Sequence, residues 1–285
     1  MNRNQIIVIT ACAAIGIGVY LFAGTTKPAA TAPAETAQEH SEGDGHNHGA
    51  EQGEPLALNI QGYISDLNSR IEDKATREKI EELEKNSDYN GLIDEYRKLV
   101  KPLAISHYAM KLADKEPSVK NYLQAGDYSA TLLQTAPDEL AANYLKNNLL
   151  EAYKKAAEIE PNNNEVKLRL ATAYIEMSPQ PMEGVAILRE IVAKDSTNID
   201  AQLLLGRFGI VSGQFDKAIV RLEKVLYLQP QNSEALLLLA EAYNNQGDSK
   251  KALELLERCK KTVKSPELRK EIEGYIEQIK KQVHS

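Results

Sequence analysis

The sequence has no tryptophan and only 3 phenylalanines and 2 cysteines among its 285 residues. With so few large aromatic side chains, we expect small aliphatic residues to form most of the core. Cys12 lies in an apolar run, so Cys259 is the single thiol of the remaining chain and an intramolecular disulfide framework is excluded. One thiol does not decide between a reducing and an oxidising compartment.

The sequence also lacks the short motifs of common catalytic sites. Glycine-rich phosphate-binding loops, the HExxH zinc motif, the GxSxG nucleophile motif and the CxxC pair are all absent. Most acidic residues lie beside Lys or Arg at helix positions that are typical of solvent-exposed faces. We therefore expect a protein that is not an enzyme and that has no catalytic residues, no cofactor and no bound metal.

Basic residues are too few to give the chain a positive surface, since its formal net charge is −7. Duplex nucleic acid requires a basic face that displaces counterions, so nucleic-acid binding is not expected. The charge is uneven: residues 1–27 carry +2 from Arg3 and Lys27, whereas residues 28–55 carry −6. The remaining chain, at −3, is nearly balanced.

An apolar run from Ile6 to Ala23 is about 27 Å long as a helix, close to the thickness of a bilayer core. We expect residues 1–27 to form an uncleaved signal anchor in the inner (cytoplasmic) membrane. Arg3 would lie on the cytoplasmic side, which places the chain after Gly24 in the periplasm of a bacterium. Two alternatives remain open: a signal peptide cleaved near Ala30–Ala32, and a lipoprotein box that ends at Cys12.

Residues 28–55 are rich in Ala, Pro, Thr, Glu, Gly and His and have almost no large aliphatic side chains. Such a segment cannot offset its ordering entropy, so we expect a disordered acidic linker. His40, His46 and His48 lie close together there and have some affinity for transition metals. No scaffold fixes their geometry, so we expect no stoichiometric metal site.

From Leu56 onward, apolar residues recur at intervals of three and four, which predicts amphipathic helices and no strands. We assign residues 56–117 to N-terminal helices. Pro102 falls inside the second of these periodic segments and is expected to kink that helix. His107 is interpreted as a packed or half-exposed helix residue rather than as a ligand.

Three segments that begin at Asn164, Ile199 and Ser233 repeat at intervals of 35 and 34 residues. Two closely crossing helices require small residues where they meet, and the eighth position of the segments is small: Ala171, Gly206 and Ala240. The twentieth position is also small, once one extra residue in the first segment is allowed for: Gly184, Ala218 and Ala252. Leucine occupies the seventh position: Leu170, Leu205 and Leu239. These segments resemble the tetratricopeptide repeat (TPR) family. The resemblance implies an all-α, helix-turn-helix solenoid.

The resemblance also predicts how the folded part of the chain is divided into repeats. It assigns repeats to residues 164–198, 199–232 and 233–265, and a divergent repeat with a long second helix at about 137–160 to residues 118–163. Gly213 and Gly247 fall where the first helix of a repeat must end in a left-handed turn. Residues 266–285 are predicted to form an amphipathic helix that caps the open end.

In TPR proteins, positions 2, 5, 9 and 12 of the first helix of each repeat face a concave groove that binds partners. This resemblance implies the following groove residues: Glu165, Leu168, Thr172, Ile175, Asp200, Leu203, Arg207, Ile210, Glu234, Leu237, Glu241 and Asn244. The three leucines at position 5 are expected to be exposed contacts for a partner. In the alternative interpretation, the N-terminal helices of the chain fold over them.

The groove residues also narrow the class of partner. TPR domains that clamp acidic chaperone C-termini present basic residues inward, whereas this groove has acidic residues at position 2. We therefore expect a membrane-anchored adaptor or scaffold that binds an apolar or amphipathic segment of an envelope or translocon-associated protein. Resemblance leaves two alternatives, namely a component that presents apocytochrome during c-type cytochrome biogenesis, or a self-associating structural protein of the envelope.

Overall fold

The computed structural model describes residues 58–283, which form thirteen α-helices and no strand. The all-α prediction is therefore confirmed for this part of the chain. The helices are α1 (Ile60–Ser69), α2 (Lys74–Lys85), α3 (Tyr89–Lys98), α4 (Pro102–Lys115), α5 (Val119–Leu133), α6 (Glu139–Ile159), α7 (Asn164–Met177), α8 (Pro181–Lys194), α9 (Ile199–Val211), α10 (Phe215–Leu228), α11 (Ser233–Asn245), α12 (Ser249–Thr262) and α13 (Pro266–Val283).

None of the helices within residues 58–283 is long and apolar enough to cross a membrane. The predicted anchor over residues 1–27 and the predicted linker over residues 28–55 lie outside the described residues.

Consecutive helices pack against one another along the chain, which makes the fold a solenoid. From α2 to α13 each helix contacts the next, and α1 packs on α4. Contacts between alternate helices join α7 to α9 and α9 to α11. The helix pairs α7–α8, α9–α10 and α11–α12 therefore form three similar layers in the same stack.

The first helix of each of these three layers begins at an asparagine cap. Asn163, Asn198 and Asn232 precede α7, α9 and α11, and each side chain accepts a hydrogen bond from a backbone N–H in the first turn. The Asn198 bond comes from the Ala201 amide at 2.9 Å. An asparagine in this position satisfies a donor that the helix leaves free, which stabilises the start by about 1 kcal/mol.

Two glycines end α9 and α11 as the repeat pattern predicts. Gly213 and Gly247 have φ values of 71° and 93°, in the left-handed region that disfavours side chains. In the first layer the sequence Ser178-Pro179-Gln180-Pro181 replaces the glycine turn, and Pro181 is the first residue of α8. Proline is well suited to this position because its missing N–H would have no partner there.

The predicted single kinked helix through Pro102 is wrong. The helix stops at Lys98, Val100 adopts a φ of 55°, and α4 begins at Pro102 itself. Proline at the first helical position costs little, whereas inside a helix it removes a hydrogen bond and clashes one turn back. The segment is therefore two neighbouring helices, α3 and α4, that pack on each other, rather than one bent helix.

His107 is packed at the contact between α4 and α6, in agreement with its sequence interpretation. Its Nδ1 lies 3.2 Å from the Tyr144 hydroxyl, and its ring meets the edge of the Tyr108 ring with 5.1 Å between centroids. Burial, assisted by the positive charge of Lys111, lowers the pKa of His107 to about 4. The neutral imidazole is thus a packing residue of the N-terminal half.

The last helix closes the stack. Helix α13 buries Ile272, Ile276 and Ile279 against the preceding layer, while its opposite face carries Glu277, Gln278 and Lys281. The prediction of an amphipathic helix after the last repeat is confirmed. Its polar outer face suits the end of a solenoid, which would otherwise expose an apolar layer to water.

Candidate protein-binding face

The predicted groove residues lie on α7, α9 and α11, which are neighbours on one side of the stack. We call the surface formed by these three helices the A-helix face. It consists of Glu165, Leu168, Thr172, Ile175, Glu176, Asp200, Arg207, Glu234, Leu237, Glu241 and Asn244. Glu176 was not among the predicted residues, because it occupies the thirteenth position of its repeat rather than the twelfth.

Two predicted groove residues are in the core instead. Leu203 and Ile210 are only 7% and 8% exposed, so the expectation that Leu203 is an exposed contact is wrong. Their hydrophobic cluster is built entirely from residues between Ile199 and Ile279. The N-terminal helices therefore do not cover Leu203, and the alternative based on them is also wrong. The following layer buries it, because α9 and α11 pack closely enough to enclose the side chains between them.

Arg207 connects the three helices of the A-helix face. Its guanidinium forms an ion pair with Glu234 of α11, and its Nη1 lies 3.9 Å from Oε1 of Glu176 on α7. The Arg207 side chain is 27% exposed, so this arrangement is partly shielded from water. A charge-assisted hydrogen bond in such a place is stronger than a surface ion pair and holds the side chains in position.

Two carboxyl groups of this face are unusually easy to protonate. Burial raises the pKa of Glu176 and of Glu241, and in each case the positive charge of Arg207 only partly opposes the effect. The single positive charge of the Arg207 guanidinium therefore has to compensate the negative charges of Glu176, Glu234 and Glu241. A carboxylate with too little positive charge around it favours the approach of an additional cation.

Half-buried apolar side chains complete the face. Leu168 and Ile175 on α7 and Leu237 on α11 are neither fully buried nor fully exposed, and each packs on a core cluster. Thr172 donates its hydroxyl hydrogen to the Leu168 carbonyl at 2.9 Å, so it has no free proton for a partner. The A-helix face thus combines apolar patches with an excess of carboxylates.

Other reactive groups in the described part of the chain are buried or scattered. Cys259 is 1% exposed and burial raises the pKa of its thiol to about 11, an environment that disfavours the reactive thiolate. Residues 58–283 contain no group of three His, Cys, Asp or Glu side chains placed to hold a metal ion. His40, His46 and His48 lie outside the described residues.

A tetratricopeptide repeat family model matches residues 210–269. Among curated proteins, the chain is 28% identical over 104 residues to a putative cytochrome c-type biogenesis protein, CcmH, of Haemophilus influenzae, covering 36% of this chain and 23% of that protein. It is 38% identical over 90 residues to the peroxisomal targeting signal receptor of Candida albicans, covering 29% of this chain and 15% of that protein. The chain thus spans less than a quarter of either relative's length, and their names indicate different roles.

Among solved structures, MamA from Desulfovibrio magneticus RS-1 aligns with a TM-score of 0.47 at 18% sequence identity, covering 62% of this chain and 93% of that one. TPR domains bind protein or peptide partners, and a face built from alternate helices of the stack suits that use. The repeat spacing, the helix pairs with their glycine turns and the family model over residues 210–269 agree that the chain contains tetratricopeptide repeats.

Proposed function

We propose that this chain is a membrane-anchored TPR adaptor whose A-helix face binds a basic, amphipathic segment of a partner protein. The observation that carries the proposal is the sharing of Arg207 among Glu176, Glu234 and Glu241. Arg207 is the single basic residue among those that define the face, and Asp200 adds an exposed carboxylate, whereas the Glu165 carboxylate is paired with Arg169. A cationic partner therefore gains attraction there, whereas an acidic C-terminus is repelled.

The apolar part of the face explains why the partner segment is expected to be amphipathic. Leu168, Ile175 and Leu237 leave part of their surface exposed on the same helices that carry the carboxylates. A helix with leucines on one side and lysines or arginines on the other would cover these side chains and meet the acidic groups. The linker of this chain is acidic, so like-charge repulsion makes residues 28–55 a poor occupant.

The cellular location is part of the proposal and rests on the sequence. The apolar run over residues 6–23, preceded by Arg3 and followed by an acidic segment, favours a single-pass inner-membrane protein with the repeats in the periplasm. There the adaptor would hold an envelope or translocon-associated partner near the membrane surface. A second candidate is a role in c-type cytochrome biogenesis, which the named relative from Haemophilus influenzae favours.

A pair of designed peptides tests the proposed recognition. One is an amphipathic helix of about 18 residues made of Leu and Lys, and the other has the same pattern with Glu in place of Lys. We expect fluorescence anisotropy with the full chain to detect binding of the Lys peptide only. In the double variant Glu176→Gln/Glu241→Gln, affinity for the Lys peptide should fall about tenfold, because two charge-assisted contacts are lost.

The Glu176→Gln/Glu241→Gln variant is expected to remain folded, so a loss of affinity can be attributed to the lost charges. Since burial raises the pKa of both carboxyl groups, the fold disfavours their charged forms, and the neutral amides should not lower stability. Glu254→Gln/Glu271→Gln removes the same charge from exposed positions on α12 and α13 and should leave affinity unchanged. Equal weakening in both double variants would mean that net charge alone attracts the peptide, and the proposed site would be wrong.

The pH dependence of affinity for the Lys peptide is a further test of the proposal. Protonation of Glu176 and Glu241 removes the charges that attract a cation, so affinity for the Lys peptide should decrease as the pH falls. Because the pKa values of both groups are raised, the decrease should begin at a higher pH than for ordinary exposed glutamates. In the amide double variant this early decrease should disappear.

A further inference from the structure

A second concave site lies away from the A-helix face, between α3, α4 and α5. Its volume is about 110 Å³. Ile93, Ala109, Leu112 and Ala125 form an apolar floor, and six hydrogen-bonding side chains surround it: Asn90, Asp94 and Arg97 from α3, and Asn121, Gln124 and Tyr128 from α5. We call this site the amide cleft. The repeat pattern did not predict this site, because its residues lie in the N-terminal helices and in the divergent repeat, before the three regular repeats.

The charges in the amide cleft balance one another. Arg97 forms an ion pair with Asp94, with Nη1 at 2.7 Å from Oδ1. The same guanidinium donates to the Tyr128 hydroxyl at 3.0 Å and lies 5.6 Å from the centroid of that ring. The remaining polar groups are carboxamides without charge. A site of this composition offers no net attraction to a phosphate, a metal ion or a charged peptide terminus, so its ligand is expected to be neutral.

Several hydrogen-bonding groups of the cleft have unused capacity. Gln124 donates its Nε2 to the Tyr128 hydroxyl at 3.1 Å, and Asn121 donates its Nδ2 to the Glu116 carbonyl at 2.7 Å, which leaves the amide oxygen of each able to accept. The Tyr128 oxygen accepts two bonds, so its own hydrogen can be donated. The Asn90 carboxamide forms no hydrogen bond with any other part of residues 58–283. Donors and acceptors therefore surround the same small space.

The size of the cleft limits the ligand further. An enclosed cavity of about 150 Å³ holds one benzene ring, whereas sites for drug-sized molecules or organic cofactors measure about 300–1,000 Å³. At about 110 Å³ and open to solvent, the amide cleft accommodates one six-membered ring that is partly embedded. An extended peptide would instead require a line of polar groups at strand spacing, and here the groups from α3 and α5 surround a compact space.

We infer that the amide cleft binds one pyranose ring of a neutral sugar. Each hydroxyl of such a ring both donates and accepts, which matches the mixture of free amide oxygens, amide hydrogens and the tyrosine hydroxyl. The apolar C–H face of the ring would lie on Leu112, the one residue of the apolar floor that is not fully buried, and the paired Asp94 and Arg97 would meet adjacent hydroxyls at the rim. This binding site is separate from the A-helix face and does not depend on the proposed function.

Ligand-observed NMR with the full chain tests the inference. The probes are methyl β-glucopyranoside and N-acetylglucosamine, and the matched non-sugar probe is the blocked tripeptide acetyl-Gly-Ser-Gly-amide. For ligands of this size we expect the sugars to bind saturably with a Kd of about 1–10 mM, and the tripeptide to bind more weakly by at least about tenfold. In separate spectra of the isotope-labelled protein, the ring resonances of Tyr128 should shift with the sugar and not with the tripeptide.

Variants at exposed positions separate recognition from folding. Asn90→Ala and Gln124→Ala each remove hydrogen-bonding groups from an exposed side chain and should weaken sugar binding about fivefold. Asn147→Ala removes an exposed carboxamide on α6, outside the cleft, and should change nothing. The inference is overturned if neither sugar binds saturably, if the tripeptide binds as well as the sugars, or if the Asn90 and Gln124 variants bind like Asn147→Ala.

Discussion

Replacing Leu203 by alanine is expected to destabilise the protein by about 2–5 kcal/mol, as for other leucines buried in a core. Leu203 is 7% exposed and belongs to the cluster that joins the last layers of the stack. For a chain of this size the loss corresponds to a decrease in Tm of roughly 5–15 °C. Thermal unfolding followed by circular dichroism provides the measurement.

Leu237→Ala is the matched control, because Leu237 occupies the same repeat position one layer later and is only half-buried. Its truncation should cost about 1 kcal/mol, since less apolar surface returns to water. If Leu203→Ala left the Tm within a degree or two of the unmodified protein, Leu203 would be a surface residue. The sequence-based assignment of Leu203 as a partner contact would then be correct after all.

Adding one methyl group at Gly184 is expected to lower stability by about 2 kcal/mol, although alanine is the better helix former. A Cβ on Gly184 would lie well inside van der Waals distance of the Ala171 carbonyl oxygen and 2.8 Å from the Ile175 side chain. The Ala171 oxygen is part of the backbone of α7 and cannot rotate away, so α7 and α8 would have to separate. Overpacking of this kind typically costs about 1–3 kcal/mol and exceeds the gain in helix propensity.

Gly274→Ala is the same substitution in an open environment. No atom lies within 4 Å of a Cβ placed on Gly274, which is exposed near the middle of α13. Here only helix propensity acts, and stability should rise by about 0.5–1 kcal/mol. Urea titrations of the two variants should therefore shift in opposite directions. A gain of stability at both positions would show that propensity rather than the contact between α7 and α8 determines the effect.

The sequence predicted those features that depend on local spacing. Gly213 and Gly247 mark turns because a left-handed residue after a helix is a local requirement, and α13 could be recognised from its own apolar period. The asparagine caps at Asn198 and Asn232 were not predicted, although each directly precedes a periodic apolar segment.

Other features depend on distances between helices and were not predictable from spacing alone. The repeat position of Leu203 indicates which side of α9 it occupies, whereas its burial depends on how closely α11 approaches α9. The pairing of Arg207 with Glu176 and Glu234 joins residues 31 and 27 positions apart, across three helices. A pattern within one repeat contains no information on such contacts. The break between α3 and α4 was missed because the apolar period continues across Pro102.

Site-specific photocrosslinking tests most directly whether the A-helix face is the binding surface. A photoreactive residue would replace Ile175, half-buried on α7 within the face, or Tyr227, which is 79% exposed on α10 and outside it. With the Leu/Lys peptide as the probe and the full chain as the target, we expect covalent capture from position 175 and none from position 227. Capture from position 227 without capture from position 175 would contradict the assignment of the A-helix face.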